Sequence, residues 1–391
     1  MTAPSAEIGI AVIGGGTMAR AHAYGYAAAP LTWSLPARPR LAVLCGRSAA
    51  RTAQAARDLG FGDYATDWRR AIERPDVDIV DICTPPGVHA EVIAAAAAAG
   101  KAVICEKPLT TALADAVAAV AAVRAAGVLN AIGFNYRRLP AIALMHQMIV
   151  DGLIGTPRLW RGTWLSDEFC DPDTPFDWRF DRELGGSTVA DLGSHLVDLA
   201  EWMTGPVTGV SAQSRTFTAV RPRPGGGHAA VTVDDASSAL LEFAGGVRGT
   251  FEVAKACPRR PCDFTLEVNG SDGTLIFDYA RLNELWHGAA GEPRSRYGVT
   301  RIRAEDQSHP YAAHGWPVGQ GAGYGESFVN QAGELLAAWP DGPWVPDLGT
   351  GLRVQQVCTA IETSARDRRW CPVPDIPGAG TAGPACPRGE Q

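Results

Sequence analysis

Three side chains have the types and spacing for chemistry on an alcohol. Lys107 follows the apolar run Ala102-Val103-Ile104-Cys105 and Glu106 and precedes Pro108, while Asp191 and His195 stand four apart in Asp191-Leu192-Gly193-Ser194-His195. An imidazole titrates near neutral pH, at about 6.5 when unperturbed, and can take or return a hydroxyl proton. An ammonium can polarise the oxygen that loses it. Together these groups suit a carbinol carbon that gives up a hydride as its hydroxyl proton departs. On a helix, Asp191 and His195 share one face, which Asp198 extends. The same spacing also fits an amphipathic helix whose polar side meets water, and Lys107 decides between the two. A lysine at the carboxyl end of a parallel strand points into the crevice where open α/β sheets bind ligands, and Pro108 biases it toward an extended backbone.

The elements that would position Lys107 read as strand and helix in alternation. Residues 8–13, 41–44, 77–83, 102–105 and 130–133 are short apolar runs, and alanine-rich runs with strong helix preference lie between them at 18–28, 49–59, 88–99 and 112–126. That alternation predicts a parallel sheet covered on both faces, a Rossmann domain over residues 1–134. Residues 30–39 carry three prolines and are expected to form a surface loop.

After residue 134 the texture changes. A helix at 140–151 precedes β-rich runs at 158–166, 207–218, 236–243, 248–254, 263–270 and 273–278, several alternating with period two. They predict an α+β domain over 135–371 with a large open, mostly antiparallel sheet, one face of which needs a cover that a second copy of the chain would supply as a homodimer or homotetramer. Two late helices are expected at 326–339 and 351–368, and a loose Pro- and Gly-rich tail at 372–391.

The first strand runs into Gly14-Gly15-Gly16-Thr17-Met18-Ala19. Gly14 permits a tight turn, Gly16 lets the backbone approach a pyrophosphate, and Ala19 lets helix and strand pack closely. Helix N–H groups around Thr17 and Met18 would then receive the phosphate charge. The second strand ends Cys45-Gly46-Arg47-Ser48 with no carboxylate to bind a ribose 2′-hydroxyl, and Arg47 and Ser48 are available to a 2′-phosphate. The cofactor is therefore NADP or NAD, with NADP favoured. His22 on the first helix and His89 after Pro85-Pro86 are placed to reach the same crevice.

A length of 391 residues implies two domains, and a net charge of -7 argues against nucleic acid or an anionic membrane as partner. A small or neutral ligand fits better. No secretory leader or long apolar segment is evident, so the expected location is cytoplasmic. The nine cysteines are odd in number and form no Cys-x-x-Cys pair. Neither a disulfide framework nor a zinc site is expected, and no metal is predicted. Cys45, Cys83 and Cys105 lie in apolar runs and should be buried thiols.

Four motifs carry a resemblance over nearly the whole chain: Gly14-x-Gly16-x-x-Ala19, Thr84-Pro85-Pro86-Gly87-Val88-His89, Glu106-Lys107-Pro108 and Asp191-x-Gly193-x-His195-x-x-Asp198. The chain resembles the Gfo/Idh/MocA oxidoreductases. That resemblance implies a dehydrogenase acting on a sugar or cyclitol hydroxyl, with His195 as general base or acid, Lys107 polarising the reacting hydroxyl and Asp191 positioning the site's cation and a substrate hydroxyl. Glu106 and the turn Thr84 to His89, Pro85 included, would line the nicotinamide side. The family often has Asn where Pro86 stands, so one side-chain contact to the cofactor is missing or replaced. Gly133-Phe134-Asn135-Tyr136-Arg137-Arg138, Phe176-Asp177-Trp178-Arg179-Phe180 and His309-Pro310-Tyr311 look most like the anhydrosugar and sugar-3-dehydrogenase branch. Tyr136, Arg137, Trp164, Trp178 and Arg179 would there form a lining for a hexose. Two other functions fit the same cofactor domain: glycoside cleavage by internal oxidation, elimination and re-reduction, and a non-catalytic regulator that senses dinucleotide, which would have no need of a base.

Overall fold

The structure, a computed structural model, describes residues 7–374. It divides into two compact units. The first takes the chain through Leu139 together with His314–Trp316 and Ala322–Leu352; the second takes Pro140–Ala313, Pro317–Gly321 and the chain from Arg353 on. The boundary expected at 134/135 thus comes five residues later, and a late segment belongs with the first unit. The expected tail lies outside the described residues from 375 onward.

The first unit is built on strands β1 (Glu7–Ile13), β2 (Arg38–Cys45), β3 (Tyr64–Ala65), β4 (Ile79–Ile82), β5 (Ala102–Cys105) and β6 (Asn130–Ile132). All pair parallel in the order β3-β2-β1-β4-β5-β6, the doubly wound arrangement of two mononucleotide-binding halves. Six of the seven residues of β1 are buried, as a strand covered on both faces requires. Helices α1 (Thr17–Thr32), α2 (Ala49–Leu59), α3 (Trp68–Ile72), α4 (His89–Ala98) and α5 (Leu113–Ala126) connect the strands. Helix α1 runs on through Pro30 to Thr32 and β2 begins at Arg38, which corrects the loop expected at 30–39. Pro30 sits in the last turn, where its missing N–H forfeits a single helical bond.

The helix Tyr324–Ala337 packs along α1. A Cβ on Gly25 would lie 2.5 Å from the Phe328 carbonyl oxygen, so glycine is what lets the two backbones come this close. Ala19, Ala23 and Ala29 of α1 and Val329, Ala332, Leu335 and Leu336 of its partner join the core with Ile8, Ile10 and Val12.

The second unit holds a sheet of nine strands: β7 (Pro157–Leu165), β8 (Val207–Arg215), β11 (Ala236–Phe243), β12 (Arg248–Ala254), β13 (Asp263–Gly270), β14 (Gly273–Asp278), β15 (Glu284–Ala289), β16 (Thr300–Arg303) and β17 (Cys371–Pro372); a small separate pair is formed by β9 (Val220–Pro222) and β10 (His228–Ala230). The order is β16-β15-β14-β13-β7-β12-β11-β8-β17, with β7 and β12 parallel and the other pairs antiparallel. Burial alternates along β12 and β13, the mark of a sheet with one face on the core. The helices Pro140–Val150 and Ser194–Thr204 pack against that face. On the other, Leu159 and Leu240 are exposed, and a concavity of about 500 Å³ is lined by residues that include Thr163, Ser238, Leu240, Thr250 and Glu252.

Candidate active site

The nucleotide loop has the geometry its glycines require. Gly14 has φ +122°, a conformation L side chains rarely adopt, and a Cβ there would meet the Cys83 carbonyl oxygen at 2.5 Å. Its N–H donates to the Cys45 carbonyl at 2.8 Å. Cβ atoms on Gly15 and Gly16 would meet nothing within 4 Å, which leaves open space over the loop. Gly16 caps α1 with no side-chain hydrogen bond, and the first turn holds no acidic residue. Thr17 is exposed and Met18 half-buried. An uncapped helix start behind a side-chain-free loop fits a pyrophosphate, through its free N–H groups and positive dipole end. The Thr84 hydroxyl is buried without a hydrogen-bond partner and Pro85 is exposed beside it. Arg47 is exposed and Ser48 half-buried at the start of α2. These residues fit a dinucleotide, with Gly14, Gly16, Thr17 and Met18 for its phosphates and Thr84 and Pro85 at the end of β4.

Two expected contacts move inward. His89 is fully buried: Nε2 lies 2.8 Å from the Thr84 carbonyl oxygen and Nδ1 3.1 Å from that of Leu109, so the ring ties the turn after β4 to the chain after β5 rather than reaching a ligand. Burial holds its pKa below the ordinary histidine value, against the pull of the carbonyls. Glu106 is also buried, its Oε1 2.9 Å from Nε2 of His22, while Nδ1 of His22 is 2.7 Å from Oδ2 of Asp81. His22 is therefore an internal bridge and not a cofactor contact. One residue past Glu106, Lys107 is half-buried, and its bond to Pro108 is cis. Tyr136 and Arg137 lie in the short turn Asn135–Arg138 and are mostly buried, with the Tyr136 ring 5.9 Å from that of Tyr324.

His22, Asp81 and Cys83 bring ligand-type atoms within 4.8 Å of one another. Both ring nitrogens of His22 face carboxylates at hydrogen-bond distance, and burial with the charge of Asp81 pushes the Cys83 thiol up to about 12. Asp81 is a carboxylate inside the apolar run Val77-Asp78-Ile79-Val80-Asp81-Ile82-Cys83. A charge there demands a buried partner, and that was the readable signal for His22.

In the second unit the segment predicted as one helix begins as a π-helical turn, Val189–Gly193, and continues as the α-helix Ser194–Thr204. Asp191 is in the wide turn and His195 in the first turn of the helix, and such turns recur at functional sites. A Cβ on Gly193 would be 2.6 Å from the Phe251 ring, which is why this turn seats so closely on the sheet. His195 is mostly buried, its ring 5.6 Å from that of Trp164 on β7, and Asp198 is buried. Lys255, just past β12, donates from Nζ to Asp191; sequence reading missed it, although a lysine closing an alternating strand was visible. Trp178 and Arg179 are half-buried, with the guanidinium 4.6 Å from the indole ring centre and paired to Asp177.

The fold and these residues define an oxidoreductase with an NAD-binding Rossmann domain. Residues 8–134 match the oxidoreductase family with NAD-binding Rossmann fold, and residues 142–276 match the GFO/IDH/MocA C-terminal domain; the chain belongs to the GFO/IDH/MocA family. It is 36% identical to levoglucosan dehydrogenase of Pseudarthrobacter phenanthrenivorans over 95% of this chain and 99% of that protein. An oxidoreductase domain protein from Kribbella flavida superposes with TM-score 0.92 at 41% identity, covering 94% of this chain and all of that one. Levoglucosan dehydrogenase in complex with NADH and levoglucosan superposes with TM-score 0.91 at 36% identity, again over 94% of this chain and all of the other.

Proposed function

We propose that this enzyme oxidises a secondary ring hydroxyl of a sugar, anhydrosugar, glycoside or cyclitol to the ketone. The observation that carries the reading is the turn that presents Asp191 and His195 in sequence, beside the Trp164 ring, in a chain similar to levoglucosan dehydrogenase over 95% of its length. His195 takes the hydroxyl proton as the C–H bond breaks, and Lys107 donates a hydrogen bond to that oxygen and stabilises the charge it gains. Asp191 accepts from a substrate hydroxyl and balances the site's cation. When bound, the nicotinamide supplies the acceptor for the hydride. Trp164, Trp178 and Arg179 offer ring faces and donors to the sugar, and Tyr136 and Arg137 extend that lining.

Arg47 and Ser48 support NADP as the favoured coenzyme, since no carboxylate closes β2 to repel its 2′-phosphate. The exposed Leu159 and Leu240 on the uncovered sheet face support a homodimer or homotetramer built through that sheet. The eight cysteines among the described residues are free thiols, which supports a reducing, cytoplasmic setting.

The test is absorbance of the reduced nicotinamide when the purified protein meets levoglucosan, glucose, simple glycosides or inositols with NAD or NADP. Turnover with at least one is expected; silence across the panel with both coenzymes overturns the reading.

A further inference from the structure

Lys255 carries an ammonium on a side chain that is 4% exposed, an arrangement that is costly unless an opposite charge faces it. Nζ donates to Oδ2 of Asp191, Glu168 lies 4.0 Å away, and the Phe169 ring centre is 4.9 Å from the ammonium. The backbone of Lys255 is pinned on both sides: its N–H donates to the Asp235 carbonyl at 2.8 Å, and its carbonyl accepts from the Phe169 N–H at 3.1 Å. The charge is thus placed by the sheet.

The other partner is held from the same strand pair. Oδ1 of Asp234 accepts from the Thr188 N–H at 3.1 Å and the Ser187 hydroxyl at 3.2 Å, and the Asp234 carbonyl accepts from the Thr188 hydroxyl at 2.6 Å, fixing the start of the turn that carries Asp191. Two adjacent residues, Asp234 and Asp235, therefore locate the carboxylate and the ammonium against each other.

We propose that Lys255 is the positioning residue for Asp191 in the dehydrogenase reaction, holding its carboxylate ionised and in one orientation; the inference rests on that reading of the site. Lys255 does not touch substrate and acts through Asp191. Among the described residues, the titratable groups around this pair include Glu168 beside the ammonium, Asp235 at the Lys255 backbone, His195 at the start of the following helix, and Asp234 and Glu362, both hydrogen-bonded to Ser187.

The experiment compares the full-length wild type with Lys255→Met, Lys255→Gln and Lys255→Arg. Steady-state kcat, KM and the pH profile of kcat/KM are measured with the responding sugar, the coenzyme dissociation constant by fluorescence, and the Asp191 titration by carboxyl-carbon NMR, assigned with Asp191→Asn. Lys255→Met is expected to lower kcat roughly 10- to 100-fold, the range for outer partners that orient a reacting group, to leave coenzyme binding unchanged, and to raise the midpoints of the acid limb and of the Asp191 titration. Lys255→Arg restores both. Lys255→Gln gives the same answer if Lys255→Met does not fold. Wild-type kcat and titration in a variant that only melts earlier overturns the proposal. A wild type silent with every polyol instead sinks the dehydrogenase reading, and the Asp191 titration still decides whether Lys255 governs that carboxylate.

Discussion

Nδ1 of His22 lies 2.7 Å from a carboxylate oxygen of Asp81, and both side chains are sealed from solvent. The Tyr26 hydroxyl donates to the same oxygen at 2.7 Å, and Glu106 faces the other ring nitrogen. Asp81 is in β4 and Glu106 directly follows its neighbour β5, so one imidazole ring ties the helix behind the nucleotide loop to the two strands that lead to Thr84 and Lys107. Burial works to lower the His22 pKa, but the charge of Asp81 and its hydrogen bond override it, and the ring stands well above the ordinary value.

A raised folded pKa stabilises the protein below the unfolded value near 6.5, and that contribution is lost as pH rises through the folded value. Chemical denaturation across pH should therefore show wild-type stability falling on the alkaline side, with the slope absent in His22→Gln. Because removing one partner leaves buried carboxylates uncompensated, His22→Ala should cost about 3–5 kcal/mol. Equal alkaline slopes in wild type and variant would count against a protonated ring.

The nucleotide loop is expected to tolerate no side chain at its first glycine. Gly14→Ala would force a Cβ to 2.5 Å from the Cys83 carbonyl oxygen at a positive φ, and a strained backbone of this kind costs about 1–3 kcal/mol. Fluorescence titration should then find coenzyme affinity reduced by about 5- to 150-fold, since every 1.4 kcal/mol or so is a factor of ten. Unchanged affinity would remove the loop from the coenzyme site.

Much of this was legible because local signals agreed. The apolar strand, glycine turn and alanine-rich helix of residues 8–28 follow from period and turn chemistry alone, while the helix's last turn through Pro30 does not, and Lys107 announces itself between an apolar run and a proline. Pairings set by distant residues were not legible. The helix Tyr324–Ala337 looks like any late amphipathic helix, and its place in the first unit is set by distant partners: Gly25 against Phe328, and Val329, Ala332, Leu335 and Leu336 in the core with Ile8, Ile10 and Val12. Strands β15 and β16 escaped notice because Trp286-His287-Gly288 and the polar Thr300–Arg303 show little alternation on an open sheet edge. The four-residue step from Asp191 to His195 was visible, whereas the wide turn between them depends on Gly193 seating against Phe251.

Coenzyme choice is testable at one exposed residue. If Arg47 pairs with a 2′-phosphate, Arg47→Ala should lower kcat/KM for NADP about tenfold, near the value of one charge-assisted hydrogen bond of roughly 1.5 kcal/mol, and leave NAD nearly unaffected. Initial rates with both coenzymes give the answer, and equal losses for the two would place Arg47 elsewhere.

A buried pair in the second unit should govern stability without governing chemistry. Glu201, on the helix of His195, accepts from Arg353 Nε at 3.0 Å and from the Val207 N–H at 2.8 Å, with its side chain fully buried. Burial raises its pKa and Arg353 opposes the rise. Arg353→Met should cost about 3–5 kcal/mol and leave kcat within a few-fold at low temperature. A large kcat loss with an unchanged Tm would mean that the pair reaches the reacting groups.

The strongest demand falls on Lys107 and His195. General acid–base catalysis contributes about 10²–10⁴-fold, so His195→Ala should lose that much kcat/KM while keeping its coenzyme dissociation constant. Lys107→Ala should lose a comparable factor by leaving the developing oxyanion without its donor. If both serve one hydroxyl, the double variant will be little worse than either single one, because groups that act as a unit are not additive. Losses that multiply in the double variant would assign the two residues to separate steps and undo the shared role that the proposed reaction requires.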